Sequence, residues 1–248
     1  MINIILSLIL GALAWLLCVV CFLDSIWAGI IPFFIVAPIS MIILNRRTSK
    51  SVQAIILKSQ EMMANLPKLP SEQARKNLFD KCVEEMKKAY KYKNYMLFLD
   101  KQINAQIGSI YYIQKRFKEA EPYLANVFIQ QGTALAMYAC ILFKNKKEDE
   151  MIKAFEKAVK FSRKVPLLWN VYAWCLNEMK KRDEAIKVLN RALVDNPGDK
   201  ITQDNLDLLK NSGAMKMRAY NEQWYQFWLE EPPKPIIKMD KRTMHRGR

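Results

Sequence analysis

Residues 169–197 read WNVYAWCLNEMKKRDEAIKVLNRALVDNP. Trp169, Tyr172, Ala173 and Leu176 fall on one side of a helix, and Ala185, Leu189 and Ala192 on one side of a second. Lys180-Lys181-Arg182 sits between them, and Asn196-Pro197-Gly198 supplies the breaker that ends the pair. Thirty-four residues upstream the pattern recurs, with Tyr138, Ala139, Leu142, Phe155 and Ala158 in the matching places. A further copy is marked by Gly108, Tyr111, Phe117, Ala120 and Leu124, with an exit loop three residues shorter. A unit of this period is one helical hairpin. It cannot bury its apolar side alone, so copies must stack. The spacing therefore predicts an all-α fold and a binding scaffold more readily than an enzyme.

These positions resemble the tetratricopeptide repeat, with copies at about 101–131, 132–165 and 166–199 inside a domain spanning 71–213. The second copy departs from the pattern. Met151 stands where a small residue is usual, and Arg163 where a closing proline is common. Ile201–Asn211 resembles the solvating helix that closes such arrays. In this family the first helix of each repeat lines a concave binding face. The resemblance therefore implies Gln106, Ser109 and Tyr112 as peptide-binding residues in the first copy, Met137, Cys140 and Phe143 in the second, and Asn170, Val171, Trp174 and Asn177 in the third. Members that clamp a C-terminal carboxylate use Lys, Asn and Arg on this face. Here Ala105, Ser109, Met137, Leu167 and Val171 stand in those places, so the clamp is absent. An apolar or amphipathic segment is the expected ligand. The alternative is that Met137, Phe143 and Trp174 pack against the chain's own helices.

The charge is divided unequally. Residues 1–44 hold no Lys or Arg and one acid, Asp24, whereas residues 45–248 hold all 39 basic residues and 23 of the 24 acids. Ile2–Cys21 and Ile26–Leu44 are nearly uninterrupted apolar runs, separated by Asp24 and Ser25. Each approaches the ~20 residues needed to cross a bilayer. Residues 1–45 are expected to form a transmembrane helical hairpin. A cleaved signal peptide fits less well, because the basic n-region and small-residue cleavage site are missing. Ser7, Gly11, Ala14 and Cys18 give the first run a small side for close packing. Arg46 and Arg47 follow the second run directly, so both ends should face the cytoplasm and Trp27 the opposite interface. The expected location is the inner (cytoplasmic) membrane, crossed twice, with the repeats in the cytoplasm.

Residues 46–70 are expected to link the two parts, either continuing the second apolar helix or lying on the surface. Arg46, Arg47, Lys50 and Lys58 would meet lipid phosphates, before Leu66-Pro67-Lys68-Leu69-Pro70 breaks the helix. Ser71 is the expected N-cap of the next helix. At the other end, Ala214–Glu230 is expected to be a capping helix with Tyr220, Trp224, Phe227 and Trp228 on one side, or else a lid on the groove or a contact to membrane or another subunit. Residues 214–248 thus join an aromatic helix to a basic tail, six Lys and Arg against one acid over 234–248.

No catalytic constellation is legible. The single histidine, His245, lies in the tail, and no glycine-rich phosphate loop occurs. Cys18 and Cys21 form a C-x-x-C inside an apolar run, without a nearby histidine. Cys82, Cys140 and Cys175 are isolated, as suits a reducing compartment. No cofactor or metal is expected, and the basic residues match no specific nucleic-acid fold. The sequence thus predicts a membrane-anchored adaptor with a protein partner and membrane lipids as its contacts. A permanently packed subunit of a membrane machine is the second reading, and an enzyme or nucleic-acid binder the third.

Overall fold

The computed structural model describes residues 1–21, 30–65 and 70–233. The Asp24-Ser25 turn, Trp27, the Leu66–Leu69 break and the tail from Lys234 with His245 lie outside the described residues. Among the described residues the chain is helical throughout and divides into two compact units, Met1–Arg163 and Lys164–Arg248.

The first unit opens with α1 (Ile2–Cys21) and α2 (Ile30–Ala64), packed as a hairpin. Their contact is made by small residues. Ser7 and Gly11 are buried, and a Cβ at Gly11 would lie 2.8 Å from the Ala37 Cβ. Both helices are long and apolar enough to cross a membrane. Their large side chains point outward: Leu13 is 50% exposed, Leu17 63% and Phe34 70%. At the base of the hairpin Asn3 is buried, and its Nδ2 donates to Asn45 Oδ1 at 3.0 Å and Thr48 Oγ1 at 3.1 Å.

Of the two paths expected for the linker, residues 46–64 take the first and continue the second apolar helix. α2 runs unbroken for 35 residues, about 52 Å at 1.5 Å per residue. Its later half packs on α3 (Glu72–Lys87), which Ser71 caps by accepting from the Ala74 N–H at 3.1 Å. Val52 is buried in one core with Val83, Met86, Ala89, Leu99, Ile103 and Ile107, and Ile55, Ile56 and Met63 pack against it. The amphipathic side of this segment therefore faces protein.

α4 (Leu99–Ile113) with α5 (Phe117–Leu124), and α6 (Gly132–Lys144) with α7 (Glu148–Phe161), are the first two hairpins. Gly108 lets α4 and α5 cross closely, because a Cβ there would meet Leu124 side-chain atoms at 2.7 Å. Ala139, Met151, Phe155 and Ala158 are all fully buried, so the second hairpin accommodates Met151 in its core.

The second unit contains α8 (Pro166–Glu178), α9 (Arg182–Asp195) and α10 (Lys200–Lys210). The turn between the helices of each hairpin is built alike. Lys115, Lys146 and Lys180 each adopt a left-handed conformation, at φ 59°, 59° and 64°. The next residue's N–H then reaches back: Arg116 to Tyr111 O at 3.0 Å, Lys147 to Leu142 O and Lys181 to Leu176 O at 2.9 Å. This is the helix-ending bond pattern that satisfies a terminal carbonyl. α10 ends the same way, with Ser212 at φ 59° and the Gly213 N–H on Leu208 O at 2.7 Å. It is thus terminated like the first helix of a hairpin.

Beyond α10 the chain departs from the expected aromatic helix. Met217–Tyr220 form one 3₁₀ turn and α11 (Glu222–Tyr225) a single helical turn. Asn221, at φ 51°, separates them, and Trp228, at φ 49°, follows. The broken path lets Met217, Trp224 and Phe227 all be buried. Tertiary burial of the aromatics overrides the helical spacing.

Candidate functional site

The ten positions that the repeat resemblance assigns to a binding face separate into two groups by exposure. In the first unit Gln106 is exposed, and Ser109 and Phe143 are half-buried. Tyr112, Met137 and Cys140 are buried, Tyr112 with its ring 5.1 Å from that of Phe117. In the second unit Asn177 and Trp174 are half-buried, whereas Asn170 and Val171 are fully buried. The assignment of Tyr112, Met137, Cys140, Asn170 and Val171 to an open surface is therefore corrected. Their side chains belong to the packing.

What covers two of these faces is visible within each unit. Along α4, Gln102 and Gln106 border a cavity of about 100 Å³ that is also lined by Val52 and Ile56 of α2. On α8 the cover is the C-terminal segment. The Trp174 and Trp224 rings meet edge to face at 5.3 Å. Asn170 Nδ2 lies 3.0 Å from Pro166 O, 2.7 Å from Thr202 Oγ1 and 2.9 Å from Tyr220 Oη, so two N–H groups serve three acceptors. Asn205 Nδ2 donates to Asn170 Oδ1 at 2.9 Å, while Asn205 Oδ1 accepts from the Lys216 N–H at 2.7 Å. This network ties α8, α10 and the segment together with its buried polar groups paired. Burial pushes the Tyr220 phenol well above its ordinary value, opposed by its hydrogen bonds to Thr202 and Asn170. The segment thus lies on the mapped binding side of α8 as well as on α10. Trp224 and Phe227, both fully buried, make it part of the core.

The four basic residues expected at a membrane surface also differ among themselves. Lys58 Nζ is 3.0 Å from Glu85 Oε1, and Lys88 Nζ is 2.7 Å from Glu85 Oε2. Those two hydrogen bonds hold the Glu85 carboxyl below its ordinary value. Lys58 is accordingly engaged by the protein. Arg46, Arg47 and Lys50 line an open cleft on α2 with Ile42, Ile43 and Asn45, and form no ion pair among the described residues.

One feature carried no sequence signal. A cleft of about 740 Å³ lies between α3 and the α4–α5 turn, lined by Arg75, Lys76, Phe79, Gln114 and Arg116. Arg116 bonds Asp80 at 2.5 Å and Glu119 at 3.0 Å, and Gln114 Nε2 is buried with no partner among the described residues. Among the described residues, no cluster of three or more His, Cys, Asp or Glu is arranged to hold a metal.

The helical hairpins define a repeat-type scaffold, and the comparisons agree in part. The tetratricopeptide repeat family matches residues 132–165, so the chain contains a tetratricopeptide repeat, a non-catalytic protein-interaction motif. Among curated proteins the chain is similar to the mouse N-alpha-acetyltransferase 16, NatA auxiliary subunit, at 28% identity over 125 residues. The match takes in 46% of this chain and 14% of that protein's length. No solved structure matches significantly.

Proposed function

We propose that this chain is a membrane-anchored adaptor. On this reading α1 and the first half of α2 cross the inner (cytoplasmic) membrane twice, and the repeats offer a protein-binding surface in the cytoplasm. The observation that carries the reading is α2 itself. One unbroken helix bears outward-facing apolar side chains at its start and core residues of the first repeat unit at its end. A bilayer would satisfy the first half, and the second half would hold the first hairpin, α4 with α5, at its surface. Arg46 and Arg47, directly after the apolar stretch, favour the cytoplasmic side for both ends. The matched relative is named as an auxiliary subunit, which agrees with a role through association.

The partner-binding residues proposed are those of the mapped face that keep solvent access: Gln106, Ser109 and Phe143 in the first unit and Trp174 and Asn177 in the second. An apolar or amphipathic segment remains the expected partner chemistry. The test is capture from detergent-solubilised membranes by the parent chain and by Gln106→Arg/Ser109→Arg. Loss of one stoichiometric partner with an unchanged thermal transition supports the adaptor. Undiminished capture by the variant rejects this face.

A further inference from the structure

The connection between α3 and α4, a 3₁₀ helix over Lys88–Tyr92 followed by a loop to Phe98, has a composition that the repeat does not require. From Met86 to Leu99 there is no acid, while Lys87, Lys88, Lys91 and Lys93 alternate with Tyr90, Tyr92, Tyr95, Leu97 and Phe98. Lys87 and Lys88 are occupied by Glu84 and Glu85, but Lys91 and Lys93 form no ion pair among the described residues. Tyr95 is 38% exposed, Leu97 51% and Phe98 46%. Consecutive exposed apolar side chains at a loop tip are unusual on a water-facing surface.

The loop's position gives that composition a meaning. The Asn94 carbonyl accepts from the backbone nitrogens of Met1 at 2.6 Å and Ile2 at 2.7 Å. Ser49 Oγ donates to Met96 Sδ at 3.7 Å. Asn3 meets Asn45 and Thr48. Residues 1–3, 45–49 and 94–96 therefore share one level at the base of the apolar hairpin. That is the level at which the outward-facing apolar surface begins and Arg46, Arg47 and Lys50 stand. The loop is also held firm. Phe98 stacks on Phe128 at 4.8 Å, and Lys101 Nζ lies 5.7 Å from the Phe98 ring. Tyr92 packs against Tyr95 with centroids 6.4 Å apart, and Lys91 Nζ lies 4.8 Å from the Tyr92 ring.

We infer that Lys91–Phe98 is a second membrane contact, seated in the headgroup layer of an anionic bilayer beside the hairpin. Tyr92 and Tyr95 supply the amphipathic rings that favour this layer. Leu97 and Phe98 enter the acyl boundary, and Lys91 and Lys93 join Arg46, Arg47 and Lys50 in meeting lipid phosphates. The inference rests on the reading of α1 and α2 as membrane-spanning. It adds that the repeat unit leans on the bilayer through its own loop, which fixes its tilt as well as its attachment.

The full chain in phosphatidylglycerol nanodiscs tests this, using lipids that carry a photoreactive diazirine in the headgroup or in the acyl chain. Mass spectrometry then maps the marked residues. The headgroup probe should mark residues 91–98 and 46–50, the acyl probe should mark α1 and residues 31–43, and α7 of the same unit should stay clear of both. Lys91→Gln/Lys93→Gln should lower headgroup marking of the loop, by roughly fivefold per lysine removed at about 1 kcal/mol each. A marked hairpin beside an unmarked loop overturns this inference and leaves the anchor standing. An unmarked hairpin overturns both.

Discussion

α1 and α6 are both apolar helices, yet they are built in opposite senses. In α6, Leu135, Met137, Ile141 and Leu142 are buried, and Thr133 and Lys144 meet solvent. In α1 the buried residues are Asn3, Ser7 and Gly11, while leucine and isoleucine face outward. Water drives large apolar groups inward and leaves polar ones outside. A hairpin that keeps its polar and small residues inside has the arrangement suited to an apolar surround, where close backbone contact replaces the hydrophobic effect as the source of association. On the proposed membrane reading the same residue types describe two environments, told apart by which of them point inward.

The comparison can be broken by substitutions on its inward-facing side. The largest effect is expected at Trp224, fully buried in the second unit against Trp174. Trp224→Ala should lower the stability of that unit by about 3–5 kcal/mol in denaturant unfolding. A cost under about 1 kcal/mol would mean that the C-terminal segment is not core. Next is Gly108→Val, where the added atoms meet Leu124 at the closest crossing of α4 and α5. About 1–3 kcal/mol should be lost from the first repeat unit. Gly11→Val should instead separate α1 from α2 and leave the thermal transition of the repeats in place, which sharpens the contrast between the two regions.

Alkaline pH gives a smaller, graded effect. Burial raises the Tyr220 phenol and pushes Tyr90 up to about 12, so both stay protonated in the folded chain after an unfolded tyrosine has ionised. The unfolded state then holds fewer protons. Stability is full below about pH 10 and falls as the pH climbs beyond it. Tyr220→Phe should flatten this alkaline loss, as followed by circular dichroism across the range. An unchanged profile would contradict the burial argument. The smallest effect is expected for Lys58→Ala. Its ion pair with Glu85 is 60% exposed on the lysine side and screened by water, so the urea midpoint should barely move.

The hairpins were legible because their evidence is local. Gly108, Ala120, Ala139 and Ala173 mark the crossings, and each inter-helix turn falls beside a Lys-containing stretch. The expected binding face is less legible, because whether a first-helix residue meets solvent depends on what else in the chain lies over it. Val52 and Ile56 come to α4 from more than forty residues away, and Trp224 comes to Trp174 from fifty. Neither approach leaves a periodic trace. The path of the C-terminal segment is hidden from the sequence for a related reason. Tyr220, Trp224 and Phe227 have helical spacing, but Asn221 turns left-handed, and the Lys216 N–H is taken by Asn205. The Asn170–Asn205–Tyr220 network links three separate stretches of sequence and is recognisable only once they meet.

The central claim is that the outward side of the hairpin faces lipid. It is tested most directly by nitroxide labels at Leu13 and Ile39, each at least half exposed, with Val194 as a control at 83% exposure. Cys18 and Cys21 would be replaced by serine, since Cys82, Cys140 and Cys175 are buried. In nanodiscs the labels at Leu13 and Ile39 should collide readily with oxygen and rarely with a water-soluble nickel chelate, and the label at Val194 should do the reverse. Ready collision of the chelate with all three labels would contradict the account.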